Sequence, residues 1–158
     1  MSDPGRNAPS DLAEALGRLM ISFSSLEESL HDGIWKVVGL TTPEVRLLTT
    51  GMNFQRLVEK FELVYAERAK RQQGLQPVAK LCDLLQKLRV ERNDVIHGMW
   101  QFDSDTGKVH RYTVKGSNKR LKFNMQAVRT ESITDLTRRV EAAEDKLWEI
   151  IIDLEPAA

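Results

Sequence analysis

Eight apolar residues near the start of the chain set the fold. Leu12, Leu16, Leu19, Phe23, Leu26, Leu30, Ile34 and Val37 recur in alternating steps of three and four, with no proline among them. That spacing lays all eight along one stripe of a helix. A stripe of this length cannot stay in water, so other helices must cover it. The helix is expected to begin near Ser10 or Asp11, with Asp11 and Glu14 spaced as a capping box, and to end at Gly39. The last helix has a matching seam of Ile133, Leu136, Val140, Ala143, Leu147, Ile150 and Leu154, and Pro156 closes it. Ser132 and Asp135 have the spacing of a second capping box.

Three more helices are expected between these two. Thr42-Pro43 opens a short one that reaches about Thr50, where Gly51 breaks it. Asn53 caps the next, which carries Phe54, Leu57, Phe61, Val64 and Tyr65 and ends near Gln73-Gly74. Pro77 opens the fourth, with the seam Val78, Leu81, Leu85, Leu88, Arg92 and Val95. The helical period is then lost over residues 99–125. Trp100 and Phe102 alternate, Asp105-Thr106-Gly107 signals a turn, and Val109, Arg111 and Thr113 alternate with His110, Tyr112 and Val114. Leu121, Phe123 and Met125 have the spacing of a third short strand. The fold class is therefore mostly all-α: an antiparallel bundle of four to five helices with a β-hairpin insert before the C-terminal helix. Residues 1–9 are expected to be a disordered tail and residues 10–156 a single domain.

Composition narrows the setting. Cys82 is the only cysteine, which rules out an intrachain disulfide and fits a reducing cytoplasm. The first nine residues lack the apolar core of a signal peptide, and no apolar run is long enough to span a membrane. Formal net charge is zero, yet Lys108 to Thr130 contains no Asp or Glu. That stretch holds Lys108, Arg111, Lys115, Lys119, Arg120, Lys122 and Arg129. Such a strip reads either as a guide for RNA phosphates or as a solvated hairpin with cations guarding its edges.

The chemistry concentrates at the end of the fourth helix, in Arg92-Asn93-Asp94-Val95-Ile96-His97-Gly98. Arg92 occupies a seam position where leucine is due. A guanidinium there needs a carboxylate partner or a polar cleft. Glu27 on the first helix is the candidate partner or accessory group. Asn93 and His97 are four apart and share a helix face, and Gly98 is placed as a left-handed C-cap. Histidine exchanges protons near neutral pH, and arginine grips phosphate oxygens in a fork. Together they suit cleavage of a phosphodiester by its own 2′-hydroxyl without a metal. The plain alternative is a histidine at a helix end for its dipole and an arginine in a structural ion pair.

Arg92, Asn93 and His97 resemble the Arg-polar-x3-His signature of HEPN domains at the end of a bundle helix. Gly98-Met99-Trp100 and Phe23-Ser24-Ser25-Leu26-Glu27 also look like bacterial members of that superfamily. The resemblance covers the helical part of the chain. It implies a bundle that forms a homodimer with two motifs across one cleft. It also implies a metal-independent endoribonuclease of defence, toxin–antitoxin or stress systems, with a possible antitoxin or defence-protein partner. Non-catalytic HEPN-like modules that bind nucleic acid or protein are the alternative within the same resemblance. Met99 stands where one toxin subgroup carries a nucleotide-accepting tyrosine, so neutralisation by that modification is not expected here. The insert is not part of a minimal HEPN domain.

The remaining signals are weaker. Glu27 and His31 lie one turn apart, but two ligands are not a metal site, and an ion pair is the simpler reading. Trp100 is expected to plug the hairpin onto the bundle, and Trp35 and Trp148 to lie beside the seams. His110 and Tyr112 flank Arg111, a pattern that can stack a base while holding phosphate. Phosphate-cradling glycine loops, nucleophile elbows and paired-cysteine ligand sets are absent from the sequence, so no cofactor or metal is called for.

Overall fold

The computed structural model describes residues 8–103, 105–117 and 120–154, with the side chains of 115–117, 120 and 121 outside the description. Its elements are α1 (Ser10–Val38), α2 (Thr42–Thr49), α3 (Phe54–Ala69), α4 (Ala79–Ile96), β1 (Met99–Phe102), β2 (Val109–Ser117), β3 (Arg120–Ala127) and α5 (Thr130–Ile152). The mostly helical class and the strand insert before the last helix are as the periodicities predict. The expected tail lies largely outside the described residues, as does Pro156.

The seams become one core. Seven of the eight α1 positions are buried and Leu16 is half-buried. The α4 seam is buried from Val78 to Val95 except at Arg92. In α5 the last turn buries Ile151 in place of Ile150. Asn53 caps α3 as expected, its side chain accepting from the Arg56 N–H at 3.0 Å. Two N-cap expectations need correction. Neither α1 nor α5 has a side-chain cap: their N-caps are Pro9 and Arg129. Asp11 instead accepts from the Thr130 hydroxyl at 2.8 Å, tying the two helix starts together, and Asp135 pairs with Arg138. The capping box that does form is Thr41–Glu44, where the carboxylate accepts from the Thr41 N–H at 2.8 Å.

Helix directions follow from these partners. Thr130 bonds Asp11, Ser22 bonds Glu141, Ser25 bonds Glu144 and Trp148 bonds Ser29, each pair separated by 119 residues. A constant offset means that α1 and α5 run in parallel. Phe54 meets Phe23, and Phe61 meets Gly33, so α3 runs the same way as α1. Only α4 is antiparallel to its neighbours: Gln86 reaches Gln55 on α3, Gln76 accepts from Tyr65, and Glu91 takes two bonds of 2.7 Å from Arg139 on α5. The expected antiparallel relation thus holds around α4. The segment through α2 returns the chain to the start of the bundle before α3, and the sheet does so before α5.

Gly33 sits where the three parallel helices meet. A Cβ there would lie 2.9 Å from the Phe61 ring and 3.0 Å from Ile151 Cδ1. Gly17, in the same helix, has nothing within 4 Å of a Cβ. Gly17→Ala is expected to raise stability by about 0.5–1 kcal/mol through helix propensity. Gly33→Ala is expected to lower it, because overpacking of about 1–3 kcal/mol exceeds that gain. Thermal melts of the two variants check this, and a Gly33→Ala protein more stable than wild type would contradict it.

The sheet has the order β1-β2-β3, all antiparallel. Trp100 anchors it as expected: its indole N–H donates to the Val95 carbonyl at 3.2 Å, and it packs on the core with Phe102 and Val109. Gly98 does not take the left-handed conformation. His97 is the C-cap, with φ −95° and ψ 2°. The glycine is needed for space, since a Cβ at 98 would lie 2.6 Å from Arg111 Cγ. The Arg111 side chain crosses directly over it.

Candidate functional site

Arg92 enters the bundle from the last full turn of α4 and lies over the face of Phe23, its guanidinium carbon 4.1 Å from the ring centroid. Phe23 is itself buried and held at 4.5 Å by the Phe54 ring. An arginine over an aromatic face gains about 1–2 kcal/mol when partly desolvated. Burial pulls its pKa down from the ordinary value; Glu27 opposes that shift, and the Arg89 charge adds to it. The guanidinium remains charged at neutral pH in spite of this.

The expected ion pair between Arg92 and Glu27 does not form. Among the described residues Arg92 has no carboxylate within ion-pair distance, and its buried Nε–H has no hydrogen-bond partner. Glu27, half-buried one turn beyond Phe23, acts on it only through space. The aromatic ring has taken the place that a carboxylate would fill. Arg89 lies one turn before Arg92, half-buried, with its Nε donating to Gln86 at 3.0 Å. Neither Phe23 as a platform nor Arg89 as a second cation stands out in the helical pattern alone. The spacing of three between the arginines was the available signal for the latter.

His97 is exposed at the helix end, and its backbone N–H donates to the Asn93 carbonyl at 2.9 Å. Asn93 is half-buried. No side-chain hydrogen bond joins Arg92, Asn93 and His97 to one another among the described residues. The helix end therefore presents an inward, half-buried cation and an outward imidazole, with Asn93 between them in sequence.

The basic strip divides in two. Arg111 and Lys122 share one sheet face with Thr113, Asn124 and Gln126, as the pairs Arg111–Gln126 and Lys115–Lys122 require. Arg111 donates to Gln126 at 3.1 Å and is half-buried. Its guanidinium lies at a cleft of about 230 Å³ bounded by Glu91, Asp94 and Ser132. Lys108, Lys122 and Arg129 are exposed. Lys119 lies outside the described residues, as do the side chains of Lys115 and Arg120. Tyr112 points to the opposite face from Arg111, so the expected interleaving of an aromatic with cations on one surface does not occur.

His31 belongs to a separate network. The Thr49 hydroxyl donates to the Val45 carbonyl at 2.8 Å and lies 2.9 Å from His31 Nδ1. With its own proton committed, Thr49 accepts, so Nδ1 carries the hydrogen. Burial lowers the His31 pKa, Arg46 adds to this, and Glu28, Glu27 and Asp32 oppose it. The folded ring thus binds its proton less tightly than the unfolded one. The stability it contributes is full above the ordinary histidine range and is lost as pH falls through it. His31→Asn, whose amide can also donate to Thr49, is expected to flatten that part of the stability–pH curve in urea titrations. An unchanged slope would contradict this assignment. Among the described residues no cluster of three or more His, Cys, Asp or Glu could hold a metal ion. No helix among them is long and apolar enough to cross a membrane.

Fold and site together define a small helical-bundle protein with an unpaired, half-buried arginine over an aromatic ring at the end of one helix. Compared with protein-family models, curated proteins and solved structures, the chain matches none.

Proposed function

We propose that this chain is a HEPN-like, metal-independent endoribonuclease that acts as a homodimer. The observation that carries the proposal is Arg92. A half-buried cation placed in a helical seam over an aromatic ring, without a carboxylate partner among the described residues, is poorly explained by stability. An anionic ligand explains it, and the phosphate of RNA supplies two oxygens for the fork. Arg92 binds the scissile phosphate and stabilises the charge that develops on it, with Arg89 adding to the local field. His97 exchanges protons as general base or acid: the 2′-hydroxyl loses its proton, the 2′-oxygen attacks phosphorus, and the departing 5′-oxygen is protonated. Asn93 positions the substrate or the imidazole, Glu27 orients Arg92 through its field, and the cations of the insert guide RNA inward. The biological setting that goes with the resemblance is bacterial defence, toxin–antitoxin pairing or stress response.

A second reading is favoured by one observation, the lack of any side-chain bond between Arg92 and His97 within the described chain. In it, the same helix end binds RNA or a protein without cleaving. His97→Ala separates the two. Under the proposal it keeps RNA affinity and loses cleavage by about 10²–10⁴. Equal cleavage by wild type and variant would overturn the assignment of His97.

A further inference from the structure

Arg92 shares its side of α4 with a second half-buried cation. Arg89 stands one turn earlier, about 4.5 Å back along the helix axis. Both belong to the crease between α4 and the start of α3. Arg92 reaches it over Phe23, whose ring meets Phe54. Arg89 reaches it through a relay: its Nε–H donates to Gln86 Oε1 at 3.0 Å, and Gln86 Nε2 donates to the Gln55 carbonyl at 3.1 Å. The pair is not neutralised among the described residues. Arg89 lowers the Arg92 pKa by repulsion, and Glu27 opposes this only through space. Glu91 is committed to Arg139 by two bonds of 2.7 Å. The first turn of α3 brings Arg56 and no acid. Like charges one turn apart destabilise a helix, so the bundle alone does not account for them.

We infer that Arg89 holds a second phosphate of the same strand, next to the scissile one, so that the site takes a polynucleotide with two consecutive phosphates rather than a mononucleotide. The spacing suits this ligand. Side chains three apart on a helix start about 5–6 Å from one another. Successive phosphates of RNA are a single sugar apart, so each guanidinium can meet one of them. The two heads are also held apart. Gln86 draws Arg89 back towards the start of α3, whereas Phe23 holds Arg92 towards α1. Gripping one phosphate with both would break one of these contacts. His97 lies about 7.5 Å beyond Arg92 in the other direction along the axis. The strand therefore follows α4, with the chemistry at the His97 end and Arg89 as an anchor at the other. Arg89 contributes to binding and leaves bond breaking to Arg92 and His97. This second contact rests on Arg92 holding the scissile phosphate, yet it is read by binding, without any cleavage.

Fluorescence anisotropy of a labelled single-stranded RNA with 2′-fluoro in place of every 2′-hydroxyl, titrated with the full chain over a range of potassium chloride, tests it. Such a strand binds but cannot be cut. Each phosphate contact on a single strand adds about 0.7 to the slope of log affinity against log salt. Arg89→Gln and Arg92→Met are each expected to flatten the wild-type slope by about 0.7, and the double variant by about 1.4, with helical circular dichroism intact. Arg89→Lys, which keeps the charge, is expected to restore the slope. Lys80→Gln, exposed at the far end of α4, is expected to leave it unchanged. On cleavable RNA, Arg89→Gln is expected to raise KM about tenfold and keep kcat, whereas Arg92→Met lowers kcat. A slope unmoved by Arg89→Gln, or a double variant no flatter than Arg92→Met alone, would overturn the second phosphate contact. Both slope changes without any cleavage by wild type would overturn the ribonuclease reading and leave the two-phosphate contact standing. A wild type that does not bind the strand would overturn both.

Discussion

Phe23→Ala is expected to lower stability by about 3–5 kcal/mol. The side chain is 2% exposed, lies in the α1 seam and holds the Phe54 ring at the start of α3. Removing it leaves a cavity where α1 and α3 meet and strips Arg92 of its platform. The whole domain should therefore soften, with a lower urea midpoint and an unchanged slope. Phe23→Leu separates packing from function. It keeps most of the volume and should cost about 1–1.5 kcal/mol. With no ring face to hold the guanidinium, it should still lose RNA affinity while remaining folded. Full RNA affinity in folded Phe23→Leu protein would show that the ring does not set the arginine's position.

Arg92→Met is expected to act in the opposite sense on stability. Methionine retains the length, packs its sulfur on the Phe23 ring and removes a half-buried charge with an unpaired donor. Exchanging such a charge for an apolar side chain is commonly neutral or stabilising, here by about 1 kcal/mol because the group is only half-buried. RNA cleavage should fall on the order of a hundredfold or more, since the phosphate loses its main donor. A more stable protein with weaker chemistry is the signature of a residue kept for function. A loss of several kcal/mol, with RNA cleavage intact, would instead make Arg92 a structural member of the bundle.

Much of the fold was legible because apolar spacing reports burial directly. The steps of three and four in α1, α4 and α5, and the alternation in β1 and β2, each marked an element that forms. Direction was not legible. Periodicity is the same for a helix read up or down, and the parallel course of α1 and α5 depends on how α2 and the sheet return the chain. Caps failed where a side chain had a better partner: Asp11 is taken by Thr130, which is adjacent only in space. Gly98 was assigned to a backbone conformation, but its purpose is to make room for Arg111, a contact that local sequence does not contain.

At the site, a charge in a seam was visible as an anomaly, so Arg92 was found. Its partner is not legible in the sequence, because a carboxylate and an aromatic ring can each accommodate a guanidinium and only packing decides between them. The basic strip was visible as composition. Its division into a cationic face and an apolar face required the register, which sets Arg111 beside Gln126 and Tyr112 beside Met125.

If the helix end carrying Arg92 and His97 cleaves RNA, the products show it. The most direct test incubates purified protein with labelled tRNA and mixed cellular RNA in EDTA and maps the product ends. The cleavage is expected to resist EDTA, to leave 2′,3′-cyclic phosphates and to disappear in His97→Ala. RNA left intact by wild type, or cleavage that persists in the variant, would contradict it.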